Sequence, residues 1–176
     1  ITCRDWSSDV CSSDLDEIVE DLSEMKKVVL LLRDIGMDYV NVSAGIPALT
    51  PEVTRPTKQS RNFFLHHVRY TKLARKLVPE LAVVGSAYSI LKEEAAAHAE
   101  ENIAKGYVDF AGFGRQSFAD PLYPKKLLSG EKIDYCTACS GCTKLMVSQE
   151  NDGCVVYDDY YRDLLKNPGK RGAQTG

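Results

Sequence analysis

Four cysteines near the C-terminus are the residues of this chain whose types and spacing most clearly point to chemistry. Cys136, Cys139 and Cys142 lie in the stretch CTACSGC, and Cys154 follows after eleven intervening residues. Four thiolates suit either an iron–sulfur cluster or a structural zinc ion. A tight C-x2-C-x2-C run with a distant fourth cysteine is more typical of a [4Fe–4S] site, because structural zinc sites more often present two separated C-x2-C pairs. The remaining alternative is four free thiols or disulfides.

Composition limits the classes of protein to which the chain can belong. It has 176 residues, enough for one core and one domain, and a formal net charge of −3. That charge argues against a nucleic-acid-binding protein, which normally presents a basic face. The sequence has no apolar run long enough for a transmembrane helix and no apolar core of a signal peptide. Six cysteines without secretory features fit a reducing compartment. We therefore expect a cytoplasmic protein that binds neither membrane nor nucleic acid.

The first fifteen residues differ in character from the rest. ITCRDWSSDVCSSDL has neither a helical nor a strand period, and it contains SSD twice. Part of it, RDWSSDVCSSDL, looks like a translated sequencing adapter, and the chain begins with Ile1. We therefore interpret residues 1–15 as an artefactual or disordered leader on a fragment of a longer protein. The alternative is a genuine flexible N-terminus that contains Cys3 and Cys11.

From Asp16 onward the sequence predicts alternating helices and strands. Apolar residues step by four, three, four and three along a first helix: Ile18, Leu22, Met25, Val29 and Leu32. Short buried strands are predicted near 39–43, 81–85 and 108–112, with amphipathic helices between them. Residues 45–60, with three prolines, are predicted to form a long loop. This alternation predicts a parallel sheet with its strands side by side and helices on the outside, and a barrel segment would carry those helices on one face only. It suits either a doubly wound sheet or part of a (β/α)8 barrel.

Small residues follow the second and third predicted strands. Gly85, Ser86 and Ala87 come at the end of one strand, and Gly114 and Arg115 come just after the next. Backbone N–H groups in such loops can bind phosphate oxygens, and an arginine adds a planar cationic fork. Paired phosphate-binding loops after the last two strands are a known feature of the (β/α)8 barrel. The alternative is that the glycines only permit tight turns and that Arg115 is a surface charge.

Four stretches of the sequence resemble one family. The stretch VDFAGFGRQSFADP at 108–121 resembles the final-strand motif of the Old Yellow Enzyme or NADH:flavin oxidoreductase family. GMDYVNVSAG at 36–45 and LAVVGSAYS at 81–89 look like its sixth and seventh strands. CTACSGC with Cys154 resembles the cluster loop of the iron–sulfur branch, which includes 2,4-dienoyl-CoA reductase and trimethylamine dehydrogenase. The resemblance covers about residues 16–160.

The resemblance implies the C-terminal part of a (β/α)8 barrel with a cysteine-rich extension. Residues 16–130 would form the partial FMN-binding barrel, 131–160 the four-cysteine iron–sulfur segment and 161–176 a polar tail. FMN phosphate would contact the backbone of Gly85, Ser86 and Ala87 and would be bound by Gly114 and Arg115. A [4Fe–4S] cluster would be held by four cysteines: Cys136, Cys139, Cys142 and Cys154. The gap between the second and third cysteines is two residues here and three in some members.

The implied activity is that of an ene-reductase-type oxidoreductase. Hydride would pass from NAD(P)H to FMN and then to a small-molecule substrate with an activated alkene or enone, while the cluster would carry single electrons from a donor domain or protein. The strands that would carry catalytic residues precede this chain, so none is assigned; His66, Tyr123 and Tyr135 match no motif, and His67 fits a buried, hydrogen-bonded histidine. The alternatives are a non-catalytic zinc-binding module and a truncated product without activity, unable to close its sheet.

Overall fold

A three-stranded parallel sheet lies at the centre of the computed structural model, which describes residues 22–169. Its strands are β1 (Tyr39–Asn41), β2 (Ala82–Gly85) and β3 (Phe110–Ala111), in the order β1-β2-β3. Both neighbouring pairs are parallel. This confirms the predicted sequential parallel strands, although each is shorter than predicted, and it is compatible with part of a (β/α)8 barrel. The predicted leader, residues 1–15, and positions 170–176 of the predicted tail lie outside the described residues.

Eight α-helices are described between residues 22 and 169. They are α1 (Ser23–Asp34), α2 (Pro51–Thr54), α3 (Phe64–Leu77), α4 (Ala95–Ala104), α5 (Gly114–Ala119), α6 (Tyr123–Ser129), α7 (Gly141–Val147) and α8 (Asp159–Lys166). Two 3-10 segments, Arg61–Phe63 and Tyr88–Glu94, precede α3 and α4. Over this range of the chain, no helix is both long and apolar enough to cross a membrane.

The prolines of the sequence only partly predicted where helices begin and end. In the sequence, Pro79 predicts the end of a helix, and helix α3 does end just before it, at Leu77. Pro121 and Pro124 predict a break in regular structure before the cysteine segment, yet Pro124 lies in the first turn of α6. A proline is favourable there because its missing N–H would have no partner inside the helix. Likewise, the long loop at 45–60 contains the short helix α2, with Pro51 as its first residue.

Only one face of the sheet is covered by the main core. Val83 is fully buried and packs in a cluster with residues of α1 and α3, including Val29 and Ala74. The opposite face carries Tyr39 and Phe110, whose side chains are 60% and 59% exposed. Since side chains alternate between faces along a strand, the helices on one side leave the other side open. The prediction that the first strand is buried is therefore wrong for one of its two faces.

A second cluster joins the strand ends to the cysteine-rich segment. Phe64 and Tyr88 form its centre, with their rings 5.3 Å apart in an edge-to-face arrangement. The Tyr88 hydroxyl accepts a hydrogen bond from Asn102 of α4. Ala138, which lies between two of the cysteines, is buried in the same cluster. The cysteine segment therefore packs against the α/β unit instead of extending from it.

His67 of α3 connects the C-terminal ends of two strands. Its Nδ1 accepts a hydrogen bond from the Ala44 N–H at 3.1 Å, so the ring proton lies on Nε2, which donates to the Val53 carbonyl at 2.8 Å. The Ser86 hydroxyl lies 2.9 Å from Nδ1 and donates to the Val42 carbonyl. His67 is only 1% exposed. The expectation of a buried, hydrogen-bonded histidine is confirmed.

Asp120, at the end of α5, anchors the start of the cysteine segment. Its Oδ2 accepts hydrogen bonds from Lys126 Nζ at 2.7 Å and from the Asp134 N–H at 3.1 Å, and its Oδ1 accepts one from the Leu122 N–H. Burial by itself raises the pKa of Asp120, but these hydrogen bonds outweigh that effect and hold the pKa below its usual value near 3.8. The carboxylate therefore fixes residue 134 relative to α5.

Replacing His67 should remove a pH dependence from the stability of the protein. Burial lowers the pKa of His67 from its usual value near 6.5, although the hydrogen bond to Val53 opposes the shift. Below about pH 6.5 the unfolded chain binds a proton that the folded chain does not, so stability falls as pH falls. We expect urea unfolding between pH 8 and 5 to show this fall, at most about 1.4 kcal/mol per pH unit. The variant H67Q should lose it and the control H98Q should keep it; equal slopes in wild type and H67Q would contradict this account.

Replacing Asp120 should destabilise the protein only while its carboxyl is ionised. In Asp120→Asn the negative charge is lost and one of the two acceptor oxygens becomes an NH2 donor, which in either orientation faces at least one of the three donors that Asp120 binds; we expect a loss of about 1–3 kcal/mol at neutral pH. Because the folded pKa is depressed, the difference from wild type should persist above about pH 4 and shrink as pH falls through the folded pKa. Urea unfolding across this range provides the measurement. Asp163→Asn, at an exposed ion pair on α8, is the control and should change little.

Candidate active site and cysteine cluster

The two predicted phosphate-binding loops lie at one end of the sheet. Gly85 is the last residue of β2, and Ser86 and Ala87 follow it directly. Gly114 and Arg115 come shortly after β3. Because β2 and β3 are parallel neighbours, their C-terminal ends meet at the same edge. The Gly112 N–H donates to the Gly85 carbonyl at 2.7 Å, which keeps the two chain segments in contact where they leave the sheet.

Ala87 has an unusual backbone conformation in the first of these loops. Its φ is +69°, in the left-handed region, which is unfavourable for an alanine by about 1–2 kcal/mol. The loop is fixed because the next residue, Tyr88, is fully buried. Backbone held in a sparsely populated conformation recurs at sites that clamp ligands. The strained residue is one of the three whose backbone was predicted to contact a cofactor.

Arg115 has an incompletely paired guanidinium group. Its Nη2 donates to the Pro56 carbonyl at 2.8 Å, while Nη1 is buried and has no hydrogen-bond partner among the described residues. A buried donor without a partner is energetically costly, and for a guanidinium the natural partner is an anion. Its positive charge adds slightly to the lowering of the His67 pKa by burial and opposes the rise in pKa that burial causes at Cys136 and Cys142, so the group lies near the strand ends and the cysteines alike.

The cysteine loop is tightly curled around Cys139. The residues on either side, Ala138 and Ser140, have φ of +54° and +59°. The Ala138 N–H donates to Cys136 Sγ at 3.4 Å. Within residues 22–169 all four cysteines of the segment are free thiols, and only Cys139 is exposed. N–H···S hydrogen bonds of this kind stabilise negative charge on sulfur.

Electrostatic interactions show which thiols are neighbours. Burial raises the pKa of Cys136, and the nearby Cys142 and Cys139 raise it further, while the Ala138 amide and Arg115 oppose the rise. Burial also raises the pKa of Cys142, where the Thr143 amide and Arg115 act in the opposite direction. Burial raises the pKa of Tyr157, and the nearby Asp134, Cys154 and Cys136 raise it further. The three cysteines of the loop interact with one another, and Tyr157 interacts with both cysteine segments.

The predicted convergence of four sulfur atoms is not confirmed. Among the described residues, no three or more His, Cys, Asp or Glu side chains are grouped so that they could hold a metal ion. The short spacing of CTACSGC keeps the thiols close, but spacing alone does not fix side-chain rotamers, which here follow packing and the N–H···S hydrogen bond. Cys136, Cys139, Cys142 and Cys154 are therefore a set of neighbouring donors and not an assembled site.

The glycines beside two of the cysteines have a different role from the predicted one. Gly141 and Gly153 each come directly before a cysteine, a placement that predicts relief of steric limits where the backbone bends around a cluster, yet neither has a positive φ. A Cβ on Gly141 would lie 2.3 Å from Val155 Cγ2, and one on Gly153 would lie 2.1 Å from the Tyr161 ring. Both positions therefore require glycine because another side chain packs directly against the backbone. The contact with Val155 brings the CTACSGC loop against the segment that carries Cys154.

Two further residues hold the Cys154 segment in place. The Tyr157 hydroxyl donates to the Tyr135 carbonyl at 3.0 Å, which joins the two cysteine-bearing segments. Arg162 donates to the carbonyls of Val155 and Val156. Sequence reasoning did not identify these contacts, because an exposed tyrosine in a turn and an arginine on an exposed helix carry no pattern that distinguishes them.

The polar residue that sequence reasoning missed is Gln116. It is 1% exposed and lies next to Arg115 in the stretch GRQSFADP. Its side-chain amide contacts the backbone of Asp134 and Cys136. The available signal was its position in the motif, since Gln116 and Asp120 are four residues apart and therefore share one face of a helix.

Comparison with known proteins gives two similar chains. An NADH oxidase from Thermoanaerobacter brockii is 30% identical over 133 residues, which cover 72% of this chain and 19% of that protein. A bilirubin reductase from Mediterraneibacter gnavus is 29% identical over 138 residues, which cover 77% of this chain and 21% of that protein. The chain thus spans about a fifth of the length of these curated relatives. No family model and no solved structure matches the chain. The chain is similar to one segment of each of two much longer oxidoreductases.

Proposed function

We propose that this chain is a segment of an NAD(P)H-linked flavin oxidoreductase of the Old Yellow Enzyme type, and that it carries the phosphate end of an FMN site and a [4Fe–4S] site. The observation that carries the proposal is the buried Nη1 of Arg115, which follows β3 at the shared end of β2 and β3 and has no hydrogen-bond partner within residues 22–169. The sequential parallel strands suit the last part of a (β/α)8 barrel. The similarity to proteins named NADH oxidase and bilirubin reductase supports a redox role and a small-molecule substrate.

The residues at the strand ends fit a phosphate group. Arg115 would supply a charged, directional donor through Nη1, and the backbone of Gly85–Ala87 and Gly114 would supply neutral N–H donors. His67 is uncharged in this arrangement, and it braces Ser86 without adding a second positive charge beside Arg115. When bound, FMN would accept hydride from NAD(P)H and deliver it to an activated alkene or enone. The role of this chain would be to hold the phosphate and fix the orientation of the cofactor.

The thiols fit a cluster by their chemistry and by their surroundings. Four free sulfur donors lie on two segments joined by the Tyr157–Tyr135 hydrogen bond and by the contact of Gly141 with Val155. Binding would require the thiols to lose their protons and to turn toward one centre. The Ala138 N–H and the nearby Arg115 both favour negative charge on sulfur. A bound cluster would supply one-electron transfer to the flavin.

Replacing Arg115 should weaken the binding of FMN but not that of riboflavin, which lacks the phosphate. We expect Arg115→Ala to reduce FMN affinity by about 1.5–3 kcal/mol, the usual range for a hydrogen bond to a charged group, which is roughly 10- to 150-fold. Flavin fluorescence titration with both compounds measures the difference. Arg33→Ala, which removes a partly exposed arginine of α1, is the control. Unchanged FMN affinity, or an equal loss for riboflavin, would refute the phosphate assignment.

Each of the four cysteines should be required for iron. Anaerobic reconstitution of the purified protein with iron and sulfide should give about four of each per chain. Replacement of Cys136, Cys139, Cys142 or Cys154 by Ala should remove most of that iron, whereas Cys3→Ala and Cys11→Ala should leave it unchanged. Metal analysis and visible absorption provide the measurement. One zinc and no iron would instead support the zinc-binding module and would exclude the electron-transfer role.

A further inference from the structure

The side chain of Gln116 binds the backbone just before the cysteine loop at two points. Its Nε2 donates to the Asp134 carbonyl at 3.0 Å, and its Oε1 accepts from the Cys136 N–H at 3.0 Å. A carbonyl and an N–H two residues apart on one side of an extended chain are the groups that a neighbouring strand would bind. Residues 131–140 have no regular secondary structure, so the amide of Gln116 takes the place of such a strand.

Gln116 is itself held rigidly from the other side. Its backbone N–H donates to Ser89 Oγ at 3.1 Å, and Ser89 is buried in the 3-10 segment that follows β2. One turn later on α5, Asp120 accepts the Asp134 N–H. A continuous set of hydrogen bonds, buried at Ser89 and partly buried at Asp134 and Cys136, therefore runs from the segment after β2, through α5, to the amide of Cys136.

We infer that Gln116 is a positioning residue that fixes Cys136, the first of the four proposed metal-binding thiols, relative to the strand ends. Gln116 would not bind the metal. It would fix the position of the Cys136 backbone N–H and hence the directions open to Cys136 Sγ. Groups outside the ligand set orient metal ligands in this way. The metal-related part of this inference rests on the proposed cluster, whereas the effect on Cys136 in the metal-free chain does not.

Alkylation of the native, metal-free chain tests the positioning role directly. Iodoacetamide labelling followed by peptide mass spectrometry gives a separate rate for each cysteine. In Gln116→Ala the Cys136 amide and the Asp134 carbonyl lose their buried partner, and we expect Cys136 to react about tenfold faster. Cys154, which Gln116 does not contact, should react within about twofold of its wild-type rate.

Ser89→Ala is the matched control for a purely structural effect. It removes a buried hydrogen bond from the backbone of the same residue and leaves the side-chain amide of Gln116 in place. We expect it to lower stability without singling out Cys136. If Ser89→Ala accelerates Cys136 as much as Gln116→Ala does, or if Gln116→Ala accelerates all four cysteines equally, Gln116 only contributes stability and the inference is wrong. An unchanged Cys136 rate in Gln116→Ala also overturns it.

Iron retention separates this inference from the proposed function. After reconstitution with iron and sulfide, Gln116→Ala should lose iron to a chelator about tenfold faster than wild type. Equal loss from both proteins would contradict a role for Gln116 in the metal site. If the wild-type protein takes up no iron, the cluster proposal fails, while the alkylation rates still decide whether Gln116 positions Cys136.

Discussion

The hydrogen bonds of one buried imidazole determine how the ends of two strands are arranged. His67 can accept the Ala44 N–H only if its proton lies on Nε2, and Nε2 then requires the Val53 carbonyl. The neutral ring of His67 thus connects α3, on which it lies, with the segment after β1 and with helix α2. The Ser86 hydroxyl, bound to the Val42 carbonyl beside it, adds the segment after β2. Backbone groups of Ala44, Val53 and Val42, beside the ends of these strands, thus find their hydrogen-bond partners in the side chains of His67 and Ser86.

Helix α5 connects the two parts of the proposed site. Of its six residues, Arg115 lies near both the strand ends and the thiols, and Gln116 binds the start of the cysteine loop. Asp120, at the C-terminal end of α5, accepts a hydrogen bond from the N–H of Asp134, two positions before Cys136. The proximity of Arg115 to Cys136 and Cys142 means that one cation would act on both an anionic phosphate and anionic sulfurs. The electrostatics of the two proposed cofactors would therefore be coupled through a single side chain.

The periodicity of apolar residues predicted the order of helices and strands well, whereas the residue types in the connecting segments predicted their structure poorly. The order and parallel direction of the strands followed from alternating apolar segments, since crossover helices leave few topologies. The helix at Pro124 was missed because proline ends helices in their interior but suits their first turn. The exposed Tyr39 and Phe110 were not foreseen, because apolar residues on both faces of a strand are typical of a strand covered on both sides.

For the site, residue type and spacing identified the donors but not their arrangement. Arg115 was identified as a candidate. The partner of its Nη2, the Pro56 carbonyl, is 59 positions earlier in the chain, so local sequence could not indicate which guanidinium nitrogen is paired. The cysteines were identified, but their sulfur directions depend on rotamers that spacing does not encode. Gln116 was passed over because glutamine is common on helix surfaces, and only burial distinguishes this one.

The geometry of α5 also determines where the chain can tolerate a change in length. Adding or removing one residue in a helix rotates everything beyond it by about 100°. An insertion between Gln116 and Asp120 would turn these two residues to different faces, so that their hydrogen bonds to Asp134 and Cys136 could not all be kept. The stretch at 127–132 is exposed to solvent, so a change of length there would not disrupt buried side-chain contacts. Over evolutionary time, insertions and deletions should therefore accumulate after α6, while the spacing from Arg115 to Asp120 stays constant.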